Sequence, residues 1–168
     1  MTDAPFLRPA VRGLVIDHDN HILMARLVYA HGAYWVLPGG GIEDGEDTHR
    51  ALTRELHEEV GLHDVVIGPA LWNRSHVFDI NSFAPDGRRY EGQRETVFEI
   101  RVERFAPAPL LTVDELHAEN LHEVKWWTLD EIERYDGADF FAPPNIVELV
   151  RAYVSDGPPH EPLEIVQR

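Results

Sequence analysis

Cysteine is absent from the 168 residues. Disulfides, thiolate nucleophiles and thiolate metal ligands are therefore excluded. Lysine is almost absent too: of the fifteen basic residues only Lys125 is lysine, which we read as codon usage rather than function. Positive charge is scarce overall, with 15 Lys+Arg against 30 Asp+Glu and a formal net charge of −15. A chain of that sign is a poor partner for duplex nucleic acid. No apolar run approaches membrane-spanning length. The opening MTDAPFLRPA shows no basic region followed by an apolar core, so no signal peptide is visible. The expectation is a cytoplasmic protein with no membrane partner. Hydrophobic content of 43% and charged content of 27% are ordinary for a globular chain. The length suits one core. We expect a single domain over 1–155 and a proline-rich tail over 156–168.

A pass along the chain gives a coarse map. Residues 10–16 and 22–28 read as strands joined by a turn at Asp17-His18-Asp19-Asn20. Residues 34–37 are short, apolar and extended. A helix is expected over 47–60, opened by Asp47 or Thr48 and closed by Gly61. Residues 64–77 hold one or two strands, interrupted at Gly68-Pro69. Residues 81–92 are polar, with a Pro85-Asp86-Gly87 turn. Phe98, Ile100 and Val102 alternate with Glu99 and Arg101 in a half-buried strand. Residues 124–127 form another strand, which sends Trp126 and Trp127 to opposite faces. A short helix follows over 130–135. Pro143-Pro144 opens a last helix, where Ile146, Leu149, Val150 and Tyr153 share a face. After Ser155 three prolines mark an extended tail.

The chemistry concentrates in residues 40–62, GGIEDGEDTHRALTRELHEEVGL. Gly40, Glu46, Arg54, Glu55, Leu56, Glu58, Glu59, Gly61 and Leu62 stand there in the pattern G-x5-E-x7-R-E-L-x-E-E-x-G-L. On the helix Leu52, Leu56 and Val60 form one stripe that faces a core. Glu55, Glu58 and Glu59 share the neighbouring face. Carboxylates crowded in this way need cations to hold them. Oxygen-only ligands suit Mg²⁺ or Mn²⁺ rather than zinc. Arg54 can grip Glu46 across the loop through two parallel hydrogen bonds. Gly39, Gly40 and Gly41 let the backbone bend and approach a ligand closely. A Glu-rich helix is ordinarily just a solvated face, but nine filled positions at fixed spacing argue against that here. His57-Glu58 begins an HExxH pattern that Gly61 breaks, so a zinc-protease reading fails.

The stretch resembles the signature box of the Nudix hydrolases and matches it at every defined position. The flanks LVIDHDNHILMARL, YWVLPGGG and EVKWWTLDEI resemble the family as well, so the likeness spans residues 8–153. It implies an α/β fold, an α/β/α sandwich around a mixed, curved β-sheet. It implies hydrolysis of a nucleoside diphosphate linked to another moiety, a nucleotide-type small molecule. Carried over, the family roles make Glu55, Glu58 and Glu59 ligands of Mg²⁺, with Mn²⁺ as an alternative, and add the Gly39 carbonyl. Arg54 with Glu46 would orient the catalytic helix. A carboxylate outside the box would complete the metal site or act as base. Glu95 is our first choice, with Glu91 and Glu99 as rivals. The general base is left open among Glu55, Glu58, Glu59 and Glu95. The family also brings homodimers into view.

Arg26 and Arg94 are candidates for substrate phosphate, whereas Arg88 and Arg89 read as a solvated hairpin tip. Trp72, Phe78, Phe83, Phe140 and Phe141 are candidates for stacking on a base. A nucleotide-sensing regulator on the same fold is the alternative to an enzyme. Such relatives often lose box carboxylates, and this chain keeps them all. An isomerase of the isopentenyl diphosphate type relies on a cysteine that is missing. No marker of the NADH, coenzyme A, ADP-ribose or dinucleoside polyphosphate subgroups is present, so the substrate stays open.

Overall fold

The first two apolar runs build an antiparallel pair, β1 (Leu7–Ile16) and β2 (Ile22–Tyr29), which meet at Ile16 and Ile22. The turn between them closes on Asp17, whose carboxylate accepts the amides of Asp19 and His21 at 2.9 Å each. The computed structural model describes residues 3–167. It adds β3 (Gly32–Val36), β4 (Gly39–Gly41), α1 (Thr48–Val60), β5 (Ala70–Val77), β6 (Gly92–Arg101) and α2 (Val113–Ala118). β7 (Leu121–Trp127), α3 (Leu129–Glu133), β8 (Phe140–Ala142), α4 (Ile146–Asp156) and β9 (Leu163–Gln167) complete it.

The strands lie in the order β8-β3-β2-β1-β6-β5-β9, with β4 also on β1 and β7 also on β2. β1–β6, β3–β8 and β5–β9 run parallel, and the other pairs antiparallel, so the sheet is mixed. β1 shares one edge between two partners: Ala10, Val11 and Arg12 pair with β4, and Ile16 pairs with β2. The sheet therefore splits and curves at β1, which brings the glycines of β4 beside α1.

The two helical layers follow from the apolar stripes. Leu52, Leu56 and Val60 of α1 are fully buried against Val11, Val15, Leu23 and Ile100. Ile146, Val150 and Tyr153 of α4 pack on the opposite face against Leu14, Met24, Trp72 and Val97. Each such aliphatic side chain contributes about 1.5–3 kcal/mol by leaving water. This is the expected α/β/α sandwich. Trp126 and Trp127 do part company: Trp127 joins the α4-side core and Trp126 packs on the α1 side. Lys125 lays its ammonium 3.7 Å from the Trp127 ring centre, a cation–π contact.

α1 has the expected ends. The Asp47 carboxylate accepts the Arg50 amide at 2.8 Å, which satisfies one of the free donors of the first turn. Gly61 closes the helix in the left-handed region (φ 75), where a Cβ would also collide with the Ala108 carbonyl.

Within 64–77 one strand forms, β5, directly after the interruption expected at Gly68-Pro69. Other features differ from the sequence reading. α2 is additional; Thr112 and Glu115 form a reciprocal capping box at its start. The segment after α4 is extended as expected, but it joins the sheet. β9 pairs with β5 from Leu163 on Trp72 to Gln167 on His76.

Candidate metal and catalytic site

Three consecutive glycines form β4 because three neighbours fill the space a side chain would need. A Cβ at Gly39 (φ 141) would collide with the Val11 carbonyl, and one at Gly41 would run into the Arg8 guanidinium. A Cβ at Gly40 would sit 2.6 Å from the Glu55 carboxylate. The glycine strand thus lets the carboxylates of α1 press against the backbone.

Arg54 is the hub on the α1 side. Its Nε and Nη2 donate to the two oxygens of Glu46 at 2.8 and 2.9 Å, the fork expected from the sequence. Nη2 also donates to the Gly41 carbonyl at 3.1 Å, tying α1 to β4. Nη1 donates to Glu55 at 3.0 Å and to Glu58 at 3.3 Å. Hydrogen bonds from Arg54 hold the Glu46 carboxyl down at about 2.

Glu55 and Glu59 are buried, at 7% and 6% exposure. The Gly39 amide donates to Glu59 at 3.0 Å. Burial, and then the charge of Glu55, push the Glu59 carboxyl up to about 8. Burial raises Glu55 as well, against the pull of Arg54. Glu119, just past α2, completes the group. Carboxylate oxygens of Glu55, Glu59 and Glu119 all lie within 4.8 Å of one another. Partial desolvation, followed by the charge of Glu58, raises Glu119 too. Three carboxylates at that separation repel one another unless protonated or joined by a cation. An all-oxygen donor set of this kind fits a hard divalent metal.

The structure brings together Glu55, Glu59, Glu46, Arg54 and the Gly39 backbone. Glu58 stands at the edge of the group, against Arg54. Glu95 is not beside the carboxylate trio: its oxygens are taken by Arg12 at 2.5 Å, Arg74 at 3.1 Å and Gln93 at 3.0 Å. Arg26 forks onto Asp139, which also accepts the Trp35 indole N–H. Arg94 forks onto Glu164 of β9. Sequence reasoning missed Glu119, Arg8 and Arg12. Arg8 lies against Gly41 and within electrostatic reach of Glu119, with no ion pair or hydrogen bond from its side chain among the described residues. The readable signal for Glu119 was the Thr112-x-x-Glu115 pattern, which announces a helix that ends just before it.

The sandwich sets a glycine strand against clustered helix carboxylates, and those acidic groups are positioned for a metal. The NUDIX domain family model matches residues 6–148, and the chain belongs to the Nudix family. It is 28% identical over 135 residues to an RNA pyrophosphohydrolase of Sphingopyxis alaskensis, covering 76% of this chain and 81% of that protein. A second RNA pyrophosphohydrolase, from Novosphingobium aromaticivorans, is 33% identical over 97 residues, 52% of this chain and 58% of that one. Among solved structures, a NUDIX hydrolase from Nitrosomonas europaea superposes with a TM-score of 0.62 at 18% identity, covering 90% of this chain and 91% of that one. The NUDIX domain of Shewanella oneidensis NrtR, complexed with ADP ribose, superposes at 0.61 with 19% identity and 88% coverage of each chain. These two likenesses concern the fold. Among the described residues no helix is long and apolar enough to cross a membrane.

Proposed function

We propose that this chain hydrolyses a phosphoanhydride bond of a nucleotide with Mg²⁺, held by Glu55, Glu59 and Glu119. The convergence of those carboxylates within 4.8 Å carries the reading. Mn²⁺ suits the same oxygen set. The Gly39 carbonyl, on the adjoining strand, adds a backbone oxygen. Glu119 takes the place that Glu95 would have filled, because the Glu95 oxygens already serve two arginines. In this reading residues 1–155 are one hydrolase domain, to which the proline-rich segment 156–168 adds β9 as a strand of the sheet.

A bound divalent ion neutralises the phosphate oxygens, polarises phosphorus and acidifies water. The side chains do the rest. Water oxygen bonds to phosphorus, the bridging P–O bond breaks, and the leaving phosphate departs with the electron pair. The proton passes to a glutamate whose carboxylate reaches solvent, which singles out Glu58 and Glu119. Arg54, locked by Glu46, holds α1 in register with β4. Arg8 faces the site with its charge uncommitted and takes a substrate phosphate, a role that Arg26 and Arg94 cannot share while they are forked onto Asp139 and Glu164.

The relatives named RNA pyrophosphohydrolases put a phosphoanhydride carried on RNA first among substrates. ADP-ribose, dinucleoside polyphosphates and oxidised nucleoside triphosphates complete the panel. Phosphate or pyrophosphate release is measured with Mg²⁺, with chelator, and with Glu119→Gln. Cleavage of one class, lost with chelator and cut about a hundredfold or more in the variant, is the expected result. Rates unaffected by chelator, or no cleavage across the panel, would refute the reading.

A further inference from the structure

A chain of buried and part-buried polar contacts runs from the last strand to the metal site. The Gln167 side-chain oxygen, in β9, accepts from Arg74 Nε at 2.5 Å. Arg74 Nη1 donates to Glu95 at 3.1 Å, and the other Glu95 oxygen accepts from Arg12 Nε at 2.5 Å. Arg12 Nη1 donates to the Leu37 carbonyl at 2.7 Å and lies 3.5 Å from that of Gly39. The Gly39 amide ends the chain on Glu59. Glu95 and Arg74 are 3% and 6% exposed. Although burial raises it, the charges of Arg12 and Arg74 hold the Glu95 carboxyl below its ordinary range. It is therefore ionised and saturated, with neither an oxygen free for a cation nor a tendency to accept a proton.

We infer that Glu95 is a positioning residue: it holds Arg12 against the Leu37 and Gly39 carbonyls, and so aims the Gly39 amide at Glu59. The same geometry makes β9 part of the active-site support, because Gln167 anchors Arg74. β9 lies beyond residues 6–148, the part matched by the family model. The inference rests on the metal assignment of the preceding section.

Mn²⁺ binding by calorimetry reads the site without turnover, and the Mg²⁺ dependence of kcat and KM is measured beside it. Glu95→Gln weakens Mn²⁺ binding about tenfold, lowers kcat by at least as much and leaves KM within about threefold. Gln167→Leu shifts the same quantities in the same direction by about two- to threefold. Glu164→Gln removes the charge and one acceptor oxygen from the surface contacts of β9 with Asn73 and Arg94 and changes neither quantity. Should Glu95→Gln not fold, Arg12→Lys takes its place. It keeps the charge beside Glu95 but loses the reach to both carbonyls, and it weakens Mn²⁺ binding similarly. A folded Glu95→Gln or Arg12→Lys that binds Mn²⁺ like wild type overturns the positioning role. A Glu164→Gln that matches Gln167→Leu reduces β9 to general stability and overturns its part. Wild-type protein that binds no Mn²⁺ instead refutes the metal assignment itself.

Discussion

Two arginine–carboxylate clusters flank the glycine strand, and their charge ratios are opposite. On the α1 side one guanidinium, Arg54, meets four carboxylates, Glu43, Glu46, Glu55 and Glu58. On the β6 side one carboxylate, Glu95, meets two guanidiniums, Arg12 and Arg74. Burial does not distinguish them, since Glu95 is 3% exposed and Glu59 is 6% exposed. Their acidities nevertheless move in opposite directions, Glu95 down and Glu59 up. The surplus sign decides what each cluster can do. Excess carboxylate on the helix side leaves Glu59 and Glu119 calling for a cation. Excess guanidinium on the strand side closes around its glutamate and makes a brace.

The largest effect should come from removing one surplus charge. Glu59→Gln is expected to lower turnover by about a thousandfold or more. The same change should raise the melting temperature of the metal-free protein at pH 8, by on the order of 1–2 kcal/mol of stability, because a buried carboxylate surrounded by its own sign is lost. A lower melting point would break the comparison at its base. Next comes the hub. Arg54→Lys keeps the charge but cannot fork onto Glu46 while reaching Gly41, and a loss of about a hundredfold in kcat is expected. Arg26→Lys, at an arginine forked onto Asp139 away from the carboxylates, should stay within about threefold in the same assay.

The pH response sharpens the contrast further. The folded Glu59 value of about 8 stands above the unfolded value of about 4.3. Between those limits the folded metal-free protein keeps a proton that the unfolded chain releases, so its stability falls as pH rises. A metal needs the carboxylate, so affinity should climb across the same window and level off above about 8. Calorimetry in two buffers of different ionisation enthalpy should detect proton release on Mn²⁺ binding inside that window and a release that fades as pH rises past about 8. Equal proton release inside the window and well above it would contradict this. The smallest effect lies outside both clusters. Asp47→Ala removes the α1 cap and should cost about 1 kcal/mol in denaturant melts with little change in rate.

Legibility in the sequence tracked distance along the chain. Glu46, Arg54, Glu55 and Glu59 were readable because one loop and one helix fix their geometry. Asp47 and Gly61 marked the ends of that helix by their own conformational preferences. Glu119 was missed because only α2 and the approach of β7 to β2 bring it to Glu55. Glu95 was singled out for its place beside a polar loop. The residues that decide its role, Arg12 and Arg74, come from strands paired far apart in sequence. The tail was read from its prolines, yet the alternation in LEIVQ was enough for a strand once β5 offered an edge.

The solitary Lys125 has a practical corollary. Its ammonium is the single side-chain amine of the polypeptide and rests on the Trp127 indole. Besides the chain's α-amine, an amine-reactive dye will therefore label one defined side chain on β7, against a tryptophan able to report the attachment by quenching. Binding of ions and nucleotides can then be followed optically without engineering a thiol.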